Sequence, residues 1–240
     1  MADINKNLAD LRETYALSTL SRMDLLPDPM DQFKKWFNDA RTAEILEPNA
    51  MTLSTVSDNG IPSSRIVLLK EIESDGIVFY TNYESHKARE ISQNHHVASC
   101  FLWKEIQRQV RIEGMATKVS REQSEKYFQS RPKKSQIGAW ASEQSNVIES
   151  RDAIEAKQQE LTDTYKDQDV LPLPPFWGGY KITLKNIEFW QGRRSRLHDR
   201  FRYRQVDGAW IVERLSSWKY LDLQLKYSTE SISDIYFNID

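Results

Sequence analysis

Cysteine is nearly absent: Cys100 stands alone in 240 residues. No intrachain disulfide can form and no thiolate metal cluster can be built, so a reducing cytoplasm is the simplest compartment. The four histidines, His86, His95, His96 and His198, do not have the paired spacing of a helical zinc site, and no metal is expected. No apolar run approaches the ~18 residues of a membrane span. The opening MADINKNLADLRETY lacks the apolar heart of a signal segment. A formal net charge of −2 speaks against a broad basic face tracking nucleic acid, though not against small anion sites. Internal repeats and low-complexity linkers are missing as well. What remains is ordinary globular composition, 39% hydrophobic and 28% charged, in a chain long enough for one sizeable core.

Residues 1–27 are polar with scattered leucines and read as an arm or a loosely attached helix. Asp28 then caps a helix with Pro29 at its first position, and Phe33, Trp36, Phe37 and Ala40 mark its buried face. Strand chemistry follows. MTLSTV (51–56), the turn Asn59-Gly60 and SSRIVLLKEI (63–72) predict a hairpin, and Asp75-Gly76 turns the chain into IVFYTN (77–82). A short helix is expected over 85–93. HVASCFLW (96–103) and IQRQVRIEGMATKV (106–119) predict another hairpin, with Val110 and Ile112 facing away from Gln109, Arg111 and Glu113. Ser120 with Gln123 signals a helix near 121–130, ended by Pro132. A charged helix spans 150–166, and strands are expected around 180–191, 196–204 and 209–215. About six or seven antiparallel strands with helices between them make a mainly β, α+β fold. A closed or nearly closed barrel is the natural way to dispose of the sheet edges, although periodicity does not separate barrel from sandwich.

Three clusters carry chemistry. Ser85, His86 and Lys87 open a helix, where free N–H groups favour an anion; a solvated helix start with a hydroxyl cap is the plainer alternative, because such trios are common. Tyr127 and Arg131 share a helical face and Ser135 follows the Pro132 turn, a set of donors able to grip a phosphate; a surface arginine beside an inward tyrosine is the plainer alternative. In FWQGRRSRLHDRFRYR (189–204), Arg196, His198 and Arg200 alternate and, on a strand, share one face. Two guanidinium groups and an imidazole are costly to bury unless an anion meets them. The competing picture is an outer strand face paired with acidic neighbours.

In order along the chain, RIVLLK (65–70), FYTN (79–82), SHK (85–87), RQVRIEG (108–114), YFQSRPKKSQIGAW (127–140), EQS (143–145), PLPPFWGGY (172–180) and IEFWQGRRSRLHDRF (187–201) resemble the pyridoxamine 5′-phosphate oxidase family over roughly residues 10–215. The resemblance implies an antiparallel FMN-binding split β-barrel working as a homodimer, with FMN at the subunit interface. It implies oxidation of pyridoxamine or pyridoxine 5′-phosphate to pyridoxal 5′-phosphate, with O2 as acceptor and H2O2 as product. By the same resemblance Arg65, Ile66, Val67, Leu68, Leu69, Lys70, Tyr80, Thr81, His86, Lys87, Gln109, Gln144, Ser145, Trp190 and Arg200 match cofactor-binding positions. Arg12, Tyr15, Lys70, Tyr127, Arg131, Ser135, Arg196 and His198 match substrate positions, and Arg196 with His198 match the catalytic ones. Domain limits follow: an arm over the active site (1–27), the oxidase barrel (28–215) and a C-terminal extension (216–240).

Arginine is always protonated, so Arg196 suits ring positioning and charge stabilisation rather than base chemistry; His198 suits orientation of the phenolic oxygen. The sequence departs from the family pattern at His86, where arginine is usual, and in the extension, whose Leu221, Leu223 and Leu225 suggest an added strand. Two other readings compete. A related split-barrel flavoprotein would act on another reduced substrate, and a flavin or pyridoxal phosphate carrier would keep the clamps and lose turnover.

Overall fold

The computed structural model describes residues 13–217. Arg12 and residues 218–240, which hold nearly all of the C-terminal extension, lie outside the described residues.

Alternation builds the sheet. In β1 (Ala50–Val56), Met51, Leu53 and Thr55 are buried while their neighbours are half-buried. β1 pairs antiparallel with β2 (Pro62–Leu68) through a turn in which Gly60 takes φ +82°, a left-handed conformation that glycine adopts without strain. β3 (Glu71–Ile72) and β4 (Gly76–Asn82) follow. Then come α2 (His86–Gln93) and the hairpin of β5 (His96–Trp103) with β6 (Arg108–Lys118). Three helices, α3 (Arg121–Ser130), α4 (Lys133–Ala141) and α5 (Arg151–Thr164), separate this hairpin from the long β7 (Trp177–Gln191). β8 (Asp199–Val206) and β9 (Ala209–Arg214) form the last hairpin.

The first helix, α1 (Pro29–Thr42), starts as its capping residues dictate. The Asp28 carboxylate accepts from the N–H groups of Met30 (2.8 Å) and Asp31 (3.0 Å), and Pro29 stands at the first position. Its apolar face covers the core side of the sheet. Phe33 packs on Phe101 at 5.3 Å and Trp36 edge-on to Phe189 at 5.1 Å. Full burial of each such ring stabilises the fold by roughly 1.5–3 kcal/mol.

The strand order β2-β1-β5-β6-β7-β4-β3 leaves β2 at one edge and β3 at the other. β7 pairs with β6 along its length. Its other edge takes β4 over residues 177–183 and β8 over residues 186–191, so the sheet forks there. Near the fork the β6–β7 register shifts between Glu113 and Gly114. A Cβ on Gly114 would lie 2.1 Å from the Thr183 carbonyl oxygen, so only glycine allows this approach. Leu69 and Lys70 carry the chain from one edge to the other. Leu69 N–H donates to the Asn49 carbonyl and Lys70 N–H to the Val78 carbonyl, both at 2.8 Å. The sheet therefore curls until β2 and the C-terminal half of β4 face each other across a seam that no ladder closes: the split barrel that the resemblance implies.

Several expectations need correction. Among the described residues there are nine strands, not six or seven. The run 63–72 is not one strand, because Leu69–Lys70 turns from one edge to the other. α4 was not foreseen, since its apolar residues hardly segregate to one face. Strand β8 begins at Asp199, so the shared strand face of Arg196, His198 and Arg200 does not exist. Arg196 lies in a 3-10 turn, Arg194–Arg196, where Ser195 (φ 57°) and Arg196 (φ 61°) are both left-handed. The described part of the arm has one 3-10 turn, Arg22–Asp24, and is otherwise irregular. It is tied down rather than loose: Ala16 and Leu17 N–H groups donate to Gln107 Oε1 (2.9 and 3.2 Å), and Leu20 N–H donates to Asp199 (3.1 Å). Among the described residues no helix is long and apolar enough to cross a membrane.

Candidate functional site

The seam between β2 and β4 opens into a cleft of about 840 Å3. β2 supplies Arg65, Ile66, Val67 and Leu68 along the edge it does not share with β1, and Lys70 follows. β4 supplies Tyr80 and Thr81, α2 supplies His86 and Lys87, and the segment after α4 supplies Gln144 and Ser145. Tyr127, Arg131 and Ser135 close the far end. Of the expected cofactor residues on these elements, only Leu69 does not line the cleft; its side chain is buried in the core.

At the α2 end, Ser85 does not cap the helix with its hydroxyl. Its Oγ donates to the Asn82 carbonyl (2.7 Å) and accepts from Lys87 Nζ (3.2 Å). The buried Lys87 also donates to Thr81 Oγ1 (3.1 Å). Burial, with the Arg65 charge adding to it, pushes the Lys87 pKa down to about 8. Among the described residues no carboxylate pairs with this ammonium. Arg65 has one: Nη2 lies 3.4 Å from Glu90, whose other oxygen is 3.0 Å from His86 Nε2.

At the other end, Tyr127 sits in the last turns of α3, but Arg131 is the residue after the helix, with extended backbone. The pair therefore meets through the turn and not through a shared helical face. Ser135 stands in the first turn of α4. Tyr80 stacks on Tyr127 at 3.9 Å and on Trp177 at 5.5 Å, and its hydroxyl donates to the Glu71 carboxylate. Burial first, and Glu71 second, push the Tyr80 phenol far above the usual range. The Arg131 guanidinium lies 4.8 Å over the Trp177 ring. Its Nη1 is buried with no hydrogen-bond partner among the described residues. An unpartnered buried guanidinium nitrogen is costly unless an anion meets it.

The remaining candidates form a second group. Gln109, Trp190 and Arg200 stand in one cross-strand row on the outer face of β6, β7 and β8. Trp190 lies 4.5 Å from the His198 ring, and Tyr15 sits edge-on to both at 5.8 and 5.7 Å. Tyr15, Arg196 and His198 line a smaller cleft of about 500 Å3 that shares no lining residue with the first. Gly192 permits the arm's approach, since a Cβ there would lie 3.0 Å from Tyr15. His198 Nδ1 accepts the Arg193 N–H at 3.1 Å, which leaves the proton of the neutral ring on Nε2. Burial, then the charges of Arg196 and Arg200, hold its pKa below the ordinary histidine value. Arg200 meets a carboxylate after all: Nε and Nη2 donate to Glu188 at 2.7 and 3.1 Å. The picture of an outer face paired with acidic neighbours applies to that residue.

Sequence reasoning missed Glu71, Glu90 and Trp177. Glu90 stands four residues after His86 on the same helix, and Trp177 lies inside PLPPFWGGY, so both had a local signal. Glu71 had none, because its partner Tyr80 is on the next strand.

Residues 37–165 match the family model described as pyridoxamine 5′-phosphate oxidase, and residues 177–217 match the pyridoxine 5′-phosphate oxidase C-terminal dimerisation region. The pyridoxine/pyridoxamine 5′-phosphate oxidase of Gloeothece citriformis is 51% identical over 214 residues, covering 89% of this chain and 100% of that one. The enzyme of the same name from Paraburkholderia phymatum is 53% identical over 210 residues, 87% of this chain and 98% of its own. Among solved structures, PhzG from Burkholderia lata in complex with tetrahydrophenazine-1-carboxylic acid superposes with a TM-score of 0.79 at 29% identity, covering 83% of this chain and 98% of that one. A pyridoxamine 5′-phosphate oxidase-related, FMN-binding protein from Nostoc punctiforme shares the fold, with a TM-score of 0.64 at 17% identity over 80% of this chain and 100% of its own.

Proposed function

Because the chain belongs to the pyridoxamine 5′-phosphate oxidase family and is an oxidoreductase, we propose that it oxidises pyridoxamine or pyridoxine 5′-phosphate to pyridoxal 5′-phosphate in the cytoplasm. FMN is the cofactor, O2 the acceptor and H2O2 the product. The observation that carries this reading is a cleft with an uncompensated cation at each end: Lys87, buried without a carboxylate, and Arg131, with a buried, unpartnered Nη1. Two phosphates, one from the cofactor and one from the substrate, answer those two charges. The unpaired edge of β2 adds backbone donors and acceptors of the kind a flavin ring system can use.

In this reading Arg65, His86 and Lys87 hold the flavin phosphate, with Thr81, Gln144 and Ser145 beside it. Residues 66–70 and Tyr80 flank the ring. Lys70, Tyr127, Arg131 and Ser135 hold the substrate phosphate, and because they grip a part that does not react, their binding energy serves positioning. Bound FMN supplies a hydride acceptor that O2 can reoxidise. The other group, Tyr15, Gln109, Trp190, Arg196, His198 and Arg200, acts from a second protomer. The match to a dimerisation region over residues 177–217 supports this, as does the outer sheet face, where Ile66 (64% exposed) and Leu102 (65% exposed) flank the charged rows. Arg196 places and stabilises the substrate ring, while His198, with its proton on Nε2, donates toward the phenolic oxygen. The described part of the arm, residues 13–27, covers that end of the site through Tyr15.

Similarity to PhzG keeps a second reading in view, a split-barrel flavoprotein acting on another reduced substrate. One experiment separates the two. Purified protein is scanned for flavin absorbance and assayed for H2O2 with pyridoxamine phosphate and pyridoxine phosphate separately. Peroxide with either substrate, matched by pyridoxal phosphate, is expected. A flavin-bearing protein silent toward both supports the second reading, and a protein that takes up no FMN defeats both.

A further inference from the structure

Glu90 is a charged side chain on α2 outside the residues that line the cleft. It is 4% exposed, and its carboxylate is surrounded. Oε2 accepts from the hydroxyls of Thr55 and Ser63 (2.6 Å to Ser63) and faces Arg65 Nη2 at 3.4 Å. Oε1 lies 3.0 Å from His86 Nε2. Thr55 and Ser63 are direct cross-strand partners, so one carboxylate fastens α2 to the β1–β2 hairpin under the edge that lines the cleft. Burial pushes its pKa up, but the two hydroxyls and His86 together outweigh that and hold it below the ordinary glutamate value. The group stays ionised.

Arg65 shows what this does. Nη1 donates to the Leu53 carbonyl (3.3 Å) and to Thr55, and Nη2 donates to Ser63 and faces Glu90. Among the described residues none takes the Nε–H. The guanidinium is thus gripped through both Nη groups, and Arg65 lines the cleft. His86 is gripped in the same way, through Nε2.

We propose that Glu90 is a positioning residue for the phosphate end of the cleft, holding Arg65 and His86 so that a flavin phosphate meets fixed donors. This rests on the cofactor reading above and adds a residue to it. The proposal has an unusual sign. Coulomb's law alone says that removing a negative charge from beside an anion site tightens binding. Positioning says the opposite, because a released guanidinium must be ordered again when the anion binds.

The test titrates the full-length, flavin-stripped protein with FMN and with riboflavin, which lacks the phosphate, following quenching of flavin fluorescence. Native protein should prefer FMN. Glu90→Gln, the same shape without the charge, should lose FMN affinity by about tenfold or more, on the order of one charge-assisted hydrogen bond, and keep its riboflavin affinity. Ser63→Ala leaves the charge in place and removes one of the two hydroxyls between carboxylate and guanidinium. It should show a smaller loss, again for FMN alone, and it covers the case in which Glu90→Gln does not fold. Unchanged or tighter FMN binding in both variants overturns the proposal. So does an equal loss for FMN and riboflavin, which would mark Glu90 as general support of the fold. A native protein that does not distinguish the two flavins overturns the cofactor reading and the proposal with it.

Discussion

Raising the pH from about 7 to about 9.5 strips the proton from Lys87 while the arginines of the cleft keep theirs. In the flavin-free protein its pKa is about 8, lowered by burial and by Arg65. A bound phosphate dianion favours the ammonium and raises that value toward the ordinary lysine figure of about 10.4. The cation's contribution to FMN binding is therefore complete below the free-state value, and it fades as pH climbs until the raised, bound value is reached. Each unit in that window costs about 1.4 kcal/mol, so the FMN Kd should rise about 25-fold between pH 7 and 9.5. The phosphate's own second ionisation, near ~6, is finished before the window opens. For the flavin-free fold the sign reverses. The unfolded chain holds the lysine proton more tightly, so stability should rise with pH from about 8 toward the ordinary lysine value. The assay is an FMN fluorescence titration at closely spaced pH values on native protein, Lys87→Met and Lys87→Arg. Lys87→Met should bind weakly with a flat profile, and Lys87→Arg should also be flat. A native Kd that does not move, or a Lys87→Met slope equal to the native one, refutes the reasoning.

Arg131→Ala should raise KM for the phosphorylated substrate by roughly 10- to 150-fold with little change in kcat, since it deletes a charge-assisted contact distant from the reacting carbon; steady-state kinetics decide it. Arg196→Ala should lower kcat at least about tenfold while the FMN Kd stays put, because Arg196 lines the second cleft and not the first. Flavin loss with turnover intact on reconstitution would show that its role is misassigned. Gly192→Ala places a methyl 3.0 Å from Tyr15. It should push the arm off Trp190 and His198, raise KM, and lower stability by about 1–3 kcal/mol in a denaturant melt.

The strands and most of the helices were legible because their residues alternate or repeat locally. Asp28-Pro29 starts α1, Ser120 caps Gln123 in α3, and Val110 and Ile112 face the core as the period of two requires. The turn at Leu69–Lys70 was not legible, because its cause is long-range: Asn49 and Val78 hold it. Nor was α4, whose start is a proline without a side-chain cap. The RRSRLHDR segment misled for a plainer reason. Alternating charges look like a strand face, but Ser195 and Arg196 take left-handed backbone that no local signal announces. Two consecutive non-glycine residues in that conformation cost of order 1–3 kcal/mol each, and such strain clusters at functional sites. The resemblance picked out residues that the fold brings to one cleft from β2, β4, α2 and α3. It did not reveal that one chain keeps them apart from Trp190 and His198, because that separation is a property of the folded protomer.

In the proposed reaction, substrate electrons pass to a flavin held in the seam between β2 and β4. Anaerobic mixing of FMN-loaded protein with pyridoxamine 5′-phosphate tests it directly. The expected result is bleaching of the yellow flavin band, one pyridoxal phosphate formed per FMN, and return of the colour with H2O2 release on admitting air. A flavin band that stays oxidised in the presence of saturating pyridoxamine phosphate and of pyridoxine phosphate would contradict it.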